Sequence, residues 1–129
     1  MQSLVGTWIL IEDRAFDKRG NELPPPLGPN PMGIILYESE RMIVAVCDGR
    51  RTLPDGATER SFISYAGAYQ FDGEKLVVRI DGASSPAGFA DQVRQISFRE
   101  PNRYVATLVD GDAGRRELTW ERIGLPQSN

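Results

Sequence analysis

Short apolar segments with alternating polar positions run along the whole chain, divided by clusters of Gly, Pro, Asp and Asn. Successive side chains of a strand point to opposite faces, so segments of this kind are typical of antiparallel strands with one buried face. The pattern predicts eight strands, over residues 4–12, 33–38, 40–48, 62–71, 75–81, 91–99, 103–110 and 116–123. Asp-Gly pairs at 72–73 and 110–111 predict hairpin turns.

Eight strands in sequence would leave two open sheet edges, and closure into a barrel removes them. We therefore expect one all-β domain over residues 1–129, an eight-stranded antiparallel up-and-down barrel, with residues 124–129 as a frayed tail. A two-sheet sandwich is the alternative, because periodicity alone does not distinguish it. The interior of an eight-stranded barrel is either filled by side chains or holds one small ligand.

Two segments of the chain fall outside the simple alternation. Residues 13–32 contain five prolines and predict an ordered loop or an extended flap. The strand at 40–48 is apolar on both faces, with Met42, Val44 and Val46 against Ile43, Ala45 and Cys47. One face is therefore expected to be covered, either by the flap or by a second copy of the chain in a homodimer.

Alternation also assigns the inner faces of the middle strands. The more apolar face of the strand at 62–71 holds Ile63, Tyr65, Gly67, Tyr69 and Phe71, and that of the next strand holds Leu76, Val78 and Ile80. The strand at 91–99 places Ile96 and Phe98 inward, and Arg94 with them. The predicted ligand-binding residues are Tyr65, Tyr69, Phe71, Val78, Arg94, Ile96 and Phe98.

Arg94 is the unusual member of this set, because a charge inside a barrel is costly unless it is paired or hydrogen-bonded. Its guanidinium could anchor an anionic group of a ligand, since it binds a carboxylate through a two-pronged fork. The alternatives are an internal ion pair, with Glu12 as the candidate partner, or a strand out of phase that leaves Arg94 in solvent.

The composition of the chain argues against several classes of function. The net charge of −3 gives no basic surface for nucleic acid or anionic membranes, and no apolar stretch is long enough to span a bilayer. The absence of histidine excludes a Ser-His-Asp triad, a Cys-His pair and a histidine metal site, and no cofactor or metal is expected. The single cysteine, Cys47, is expected to be a small buried apolar residue in a reducing compartment. Because the first residues lack the pattern of a signal peptide, we expect a cytoplasmic protein.

The order of several short motifs resembles a known family. Leu4-Val5-Gly6-Thr7-Trp8 is similar to the Gly-X-Trp signature that opens the first strand of lipocalins. The segments that follow, 33–37, 65–69, 92–94 and 118–122, occur in the order found in the bacterial and fungal lipocalin-like domain family. The resemblance covers about residues 3 to 123 and implies a barrel with a cavity open at one end.

The resemblance also implies structural roles for three residues. Gly6 and Trp8 match the Gly-X-Trp signature, and the Trp8 side chain would close one end of the barrel. Arg122 is the best match for the arginine that packs across the ring of this tryptophan. Family members often carry a histidine in or near the fifth strand, which this chain lacks, so no catalytic role transfers. The sequence therefore favours binding of a small hydrophobic molecule in the lumen. The alternatives are a cofactor-free isomerase or cyclase, or a structural protein without a ligand.

Overall fold

The alternating segments form one antiparallel sheet that closes on itself. The computed structural model describes residues 2–110 and 114–124. Its strands are β1 (Gly6–Phe16), β2 (Glu22–Leu23), β3 (Pro31–Tyr37), β4 (Arg41–Asp48), β5 (Phe62–Phe71), β6 (Lys75–Ala83), β7 (Gln92–Glu100), β8 (Arg103–Asp110) and β9 (Gly114–Gly124), with a short 3-10 helix at Pro86–Phe89. The sheet order is β2-β1-β3-β4-β5-β6-β7-β8-β9, and pairing of β1 with β9 closes the barrel. The predicted all-β, eight-stranded, up-and-down barrel is confirmed.

The start of the predicted flap is part of the barrel. β1 continues to Phe16, which pairs with Arg115 of β9, and the two-residue strand β2 pairs with the end of β1. β3 begins at Pro31, so residues 13–16 and 31–32 of the predicted flap belong to strands. The charged pair Asp13 and Arg14 interrupts the apolar pattern, although the backbone of residues 13–16 pairs with β9 as a strand. The turn predicted around Gly111 and the tail predicted after Gly124 lie outside the described residues.

A bulge in β1 changes which of its side chains point inward. Leu10 pairs with Trp120 and Glu12 with Thr119, so the register skips Ile11. An extra residue of this kind reverses the alternation beyond it. Asp13 is therefore buried and Glu12 is exposed. The alternative in which Glu12 forms an internal ion pair with Arg94 is wrong for this reason.

The other inner faces follow the predicted alternation. Leu76, Val78 and Ile96 are all less than 10% exposed and pack in the barrel core. Arg79, on the opposite face of β6 from Val78, is exposed. The period of two therefore holds wherever no bulge intervenes.

The outer face of β3 and β4 presents apolar side chains to solvent. Leu36 and Ile43 lie opposite each other across the two strands and are 44% and 49% exposed. Cys47 is half-buried, so the expectation of a buried thiol holds only in part. The prediction of a homodimer stays a prediction. Within the described ranges, no helix is long and apolar enough to cross a membrane, and the cytoplasmic location also stays a prediction.

Gly67 occupies a tight point of the barrel wall, where the β5–β6 register shifts between Ala66 and Gly67. A Cβ at Gly67 would collide with the carbonyl of Arg79 across the ladder. Gly67→Ala is expected to lower the free energy of unfolding by about 1–3 kcal/mol, because the backbone must move to admit a methyl group. Chemical denaturation measures the loss. Gly82→Ala is the matched control, since nothing lies within 4 Å of a Cβ placed there. Equal losses in the two variants would contradict the steric account.

Candidate functional site

Trp8 fills the end of the barrel at which β1 begins and β9 ends. Its side chain is fully buried, and its indole Nε1 donates to the carbonyl of Leu4 at 2.7 Å. The ring of Tyr104 meets it edge-on with centroids 4.7 Å apart, and the guanidinium carbon of Arg122 lies 4.4 Å from its ring. We call Trp8, Arg122 and Phe98, whose ring centroid lies 6.4 Å from that of Trp8, the Trp8 plug. It leaves this end of the barrel solid.

Two tyrosines form a polar floor above the plug. The hydroxyls of Tyr37 and Tyr104 share a hydrogen bond of 2.9 Å, and both side chains are buried. Burial raises the pKa of each phenol, because the phenolate would be desolvated. Both hydroxyls therefore stay protonated, and one donates its hydrogen to the other inside the barrel.

A cavity of about 320 Å³ occupies the other half of the lumen. The wall of the cavity nearest the tyrosine floor is mostly apolar. The lining residues are Ile35, Tyr37, Met42, Val44, Val46, Ile63, Tyr65, Leu76, Ser85, Gln92, Arg94, Tyr104, Ala106, Leu108, Arg116, Leu118 and Trp120. The cavity lies at the lower end of the roughly 300–1,000 Å³ range of small-molecule pockets.

The polar lining residues above the tyrosine floor come mainly from the ends of strands farthest from the Trp8 plug. Gln92 and Arg94 begin β7, Arg116 lies near the start of β9, and Ser85 follows β6. We call these four residues the head-group cluster. The cavity is therefore apolar at depth and polar towards its upper end.

Arg116 is held by a buried carboxylate. Its Nε and Nη2 donate to the two oxygens of Asp13 at 2.9 and 3.2 Å, and the Asp13 side chain is 0% exposed. The backbone N–H of Leu27 donates to Asp13 Oδ2 at 3.0 Å. Leu27 itself is buried in the core cluster. Asp13 thus connects the proline-rich loop, β1 and β9 at this end of the barrel.

Arg94 has a different environment. Its Nη2 donates to Gln92 Oε1 at 2.6 Å and its Nη1 to the carbonyl of Val93 at 3.0 Å. Among residues 2–110 and 114–124, no carboxylate forms an ion pair with it. Burial lowers the pKa of the guanidinium and the charge of Arg116 acts in the same direction, while Tyr65 opposes both. Burial likewise raises the pKa of Tyr65, against the effect of the Arg94 charge.

The structure brings together only two of the seven predicted ligand-binding residues at the cavity, Tyr65 and Arg94. Phe98 belongs to the Trp8 plug and Phe71 packs against it, while Tyr69 lies beside Tyr37 and donates to the carbonyl of Glu38. Val78 and Ile96 belong to the buried core and do not line the cavity. These five residues are buried or half-buried, as expected of an inner face, but none of them lines the cavity.

Several residues of the site were missed in the sequence. Arg116 and Trp120 lie on one face of β9, in phase with Leu118, so the period of two already placed Arg116 inward. Tyr104 follows from the same alternation in β8. Asp13 has no such signal, because only the bulge at Ile11 turns it inward.

The comparisons with known proteins agree with this architecture. One solved structure, titled as a redesigned β-barrel, superposes with a TM-score of 0.50 at 18% identity, covering 93% of this chain and 91% of that one. At this identity the similarity concerns the fold alone. No curated protein matches the chain in sequence. The model of the lipocalin-like domain matches residues 5–123, nearly the whole chain. The chain therefore belongs to the lipocalin-like domain family.

Proposed function

We propose that the protein binds one small, largely apolar molecule in its barrel. The observation that carries the proposal is the cavity of about 320 Å³ above the tyrosine floor. The aromatic residues of the Trp8 plug fill only the lower end of the lumen, so the upper end has room for a ligand. Apolar walls with a few convergent polar groups are the usual composition of such pockets.

The volume bounds the size of the ligand. Liquid water takes about 30 Å³ per molecule, so the cavity holds the equivalent of roughly ten waters. A ligand of roughly ten to fifteen non-hydrogen atoms fits that volume if it packs as densely as a protein interior. Longer molecules would have to extend past the head-group cluster.

Binding accounts for the site better than proton transfer does. The titratable groups that reach the cavity are the phenols of Tyr37, Tyr65 and Tyr104, and the guanidinium groups of Arg94 and Arg116. Burial raises the pKa of all three phenols, which is the wrong direction for a general base near neutral pH. The isomerase alternative therefore has no specific support in these contacts.

Titration calorimetry with octan-1-ol, a neutral compound of suitable size, tests the proposal. We expect saturable binding with a dissociation constant roughly in the micromolar to millimolar range. Ala106→Phe is expected to weaken it at least about tenfold, because the ring would occupy space in which the ligand packs. Ala106 lines the cavity and is 5% exposed, so a ring introduced at this position cannot turn out into solvent.

Ala68→Phe is the matched control, since Ala68 lies on the outer face of β5, opposite Arg79 and Arg41. It should bind octan-1-ol as the wild type does. Thermal unfolding establishes that both variants are folded. Equal binding of octan-1-ol by the wild type and a folded Ala106→Phe variant would refute the proposed function, as would the absence of saturable binding of any eight-carbon compound to the wild type.

A further inference from the structure

One guanidinium that lines the cavity forms no ion pair with a carboxylate of residues 2–110 and 114–124. Arg94 is half-buried, and the acceptors of its two closest hydrogen bonds, Gln92 Oε1 and Val93 O, are both neutral. The phenol of Tyr65, which also interacts with the guanidinium, is neutral as well. A guanidinium has five N–H groups, and these two bonds leave others to meet the contents of the cavity. Partial desolvation of an unpaired cation is unfavourable, and an anion placed against it removes that cost.

The second guanidinium of the head-group cluster is already neutralised. Arg116 forms a two-pronged ion pair with Asp13, whose side chain is fully buried. Arg116 is nevertheless close enough for its charge to lower the pKa of Arg94, though less than burial does. Together the two arginines and Asp13 carry one net positive charge at this side of the cavity.

We propose that the ligand is a small monocarboxylate, with its carboxylate bound by Arg94 in the head-group cluster and its apolar part directed towards Trp120 and the tyrosine floor. The proposal rests on the proposed function and specifies its ligand class. The planar fork of a guanidinium matches the two oxygens of a carboxylate. The apolar part would contact Leu118, Trp120 and Val44, which line the deeper wall.

The single net charge argues for a monoanion. A phosphate monoester carries about −1.5 to −2 at neutral pH, so it would bring surplus negative charge into a low-dielectric site. A neutral head group would leave Arg94 without a counter-charge. An ammonium group would face the unpaired guanidinium of Arg94 and be repelled.

The proposal is tested by calorimetric titration of the wild type with four eight-carbon compounds: octanoate, octan-1-ol, octyl phosphate and octylammonium. We expect octanoate to bind about ten to a hundred times more tightly than octan-1-ol, the range for hydrogen bonds that involve a charged group. Octyl phosphate should bind more weakly than octanoate, and octylammonium more weakly than octan-1-ol. This comparison uses only the wild type, so it tests the carboxylate proposal even if a substitution impairs folding.

Arg94→Gln identifies the residue responsible. We expect it to abolish the preference for octanoate while the affinity for octan-1-ol is retained, and Arg94→Lys to restore the preference only in part. Arg79→Gln is the matched control, because Arg79 is an exposed arginine on the outer face of β6 and should leave all four affinities unchanged. Circular dichroism and thermal unfolding confirm that each variant is folded.

The outcomes separate this proposal from the one on which it rests. If octan-1-ol binds the wild type at least as tightly as octanoate, the cavity binds apolar molecules and the carboxylate proposal alone is wrong. A preference for octyl phosphate, or a folded Arg94→Gln variant that still prefers octanoate, overturns it as well. If none of the four compounds binds, the proposed function fails together with it.

Discussion

Trp8→Ala is expected to lower the free energy of unfolding by about 3–5 kcal/mol, the range for truncating a large buried aromatic residue. The indole is fully buried at the closed end, where it contacts Tyr104 and Phe98 and donates its N–H to the carbonyl of Leu4. Its loss would create a cavity and leave that carbonyl without its donor. Arg122 would also lose the ring beneath its guanidinium, a contact of about 0.5–2 kcal/mol.

Chemical and thermal denaturation measure this effect. The total stability of a small protein is about 5–15 kcal/mol, so the expected loss is a large fraction of the whole. Trp8→Phe retains a ring and should lose less than Trp8→Ala. Ile123→Ala is the control at the same end of the barrel: Ile123 is 58% exposed, and the change should stay within about 0.5 kcal/mol. A Trp8→Ala variant as stable as Ile123→Ala would show that the plug contributes little.

A ligand titration separates a structural role of Trp8 from a role in binding. Trp8 does not line the cavity, and Tyr104 lies between them. Trp8→Phe is therefore expected to bind octan-1-ol as the wild type does, despite its lower stability. A folded Trp8→Phe variant with much weaker binding would place the plug in contact with the ligand and contradict the division of the lumen into two halves.

The barrel could be predicted from the sequence because its information is local. Alternation over five or more residues fixes which side chains of a strand point inward, and it does so correctly for Val78, Ile96 and Arg94. Turn residues such as Asp72 and Gly73 fix where strands end: Asp72 accepts from the backbone N–H groups of both Glu74 and Lys75. These signals do not depend on contacts between distant parts of the chain.

The position of the cavity could not be predicted in the same way, because alternation gives the direction of a side chain and not its depth in the barrel. Tyr65 and Phe71 share one face of β5, but only Tyr65 reaches the cavity while Phe71 packs against Phe98. Depth follows from the stagger of strands around the barrel, which is set by the registers of all eight pairings. The sizes of the side chains also determine where the cavity lies, because the aromatic residues of the Trp8 plug fill one end of the lumen only.

The bulge in β1 is the other feature beyond reach of the sequence. Leu10 and Ile11 are both apolar, so either could point inward, and no Gly marks the extra residue. The misplacement of Glu12 and the omission of Asp13 have this single cause. Since Asp13 neutralises Arg116, the charge balance of the whole site depends on one unpaired residue in the ladder.

Asp13→Ala is accordingly expected to lower the free energy of unfolding by about 3–5 kcal/mol, the cost of removing one partner of a buried ion pair. The Asp13 side chain is 0% exposed and Arg116 only 24% exposed, so the remaining guanidinium would be poorly hydrated. Leu27 would lose the acceptor of its backbone N–H, and the proline-rich loop its attachment to β1. Glu22→Ala is the matched control, because the Arg14–Glu22 pair on the neighbouring surface is 41% and 51% exposed.

Chemical denaturation should show a loss of no more than about 1 kcal/mol for Glu22→Ala, as is usual for exposed ion pairs. Similar small losses in both variants would mean that water reaches Arg116 and that Asp13 is not needed to neutralise it.

Asp13→Asn tests whether the charge of Asp13 also sets the ligand preference, because the amide keeps an acceptor for Leu27 but removes the negative charge. The head-group cluster would then carry two uncompensated guanidinium groups, so a folded Asp13→Asn variant should shift its preference from octanoate towards octyl phosphate. An unchanged preference in that variant would contradict the charge balance from which the monocarboxylate was inferred.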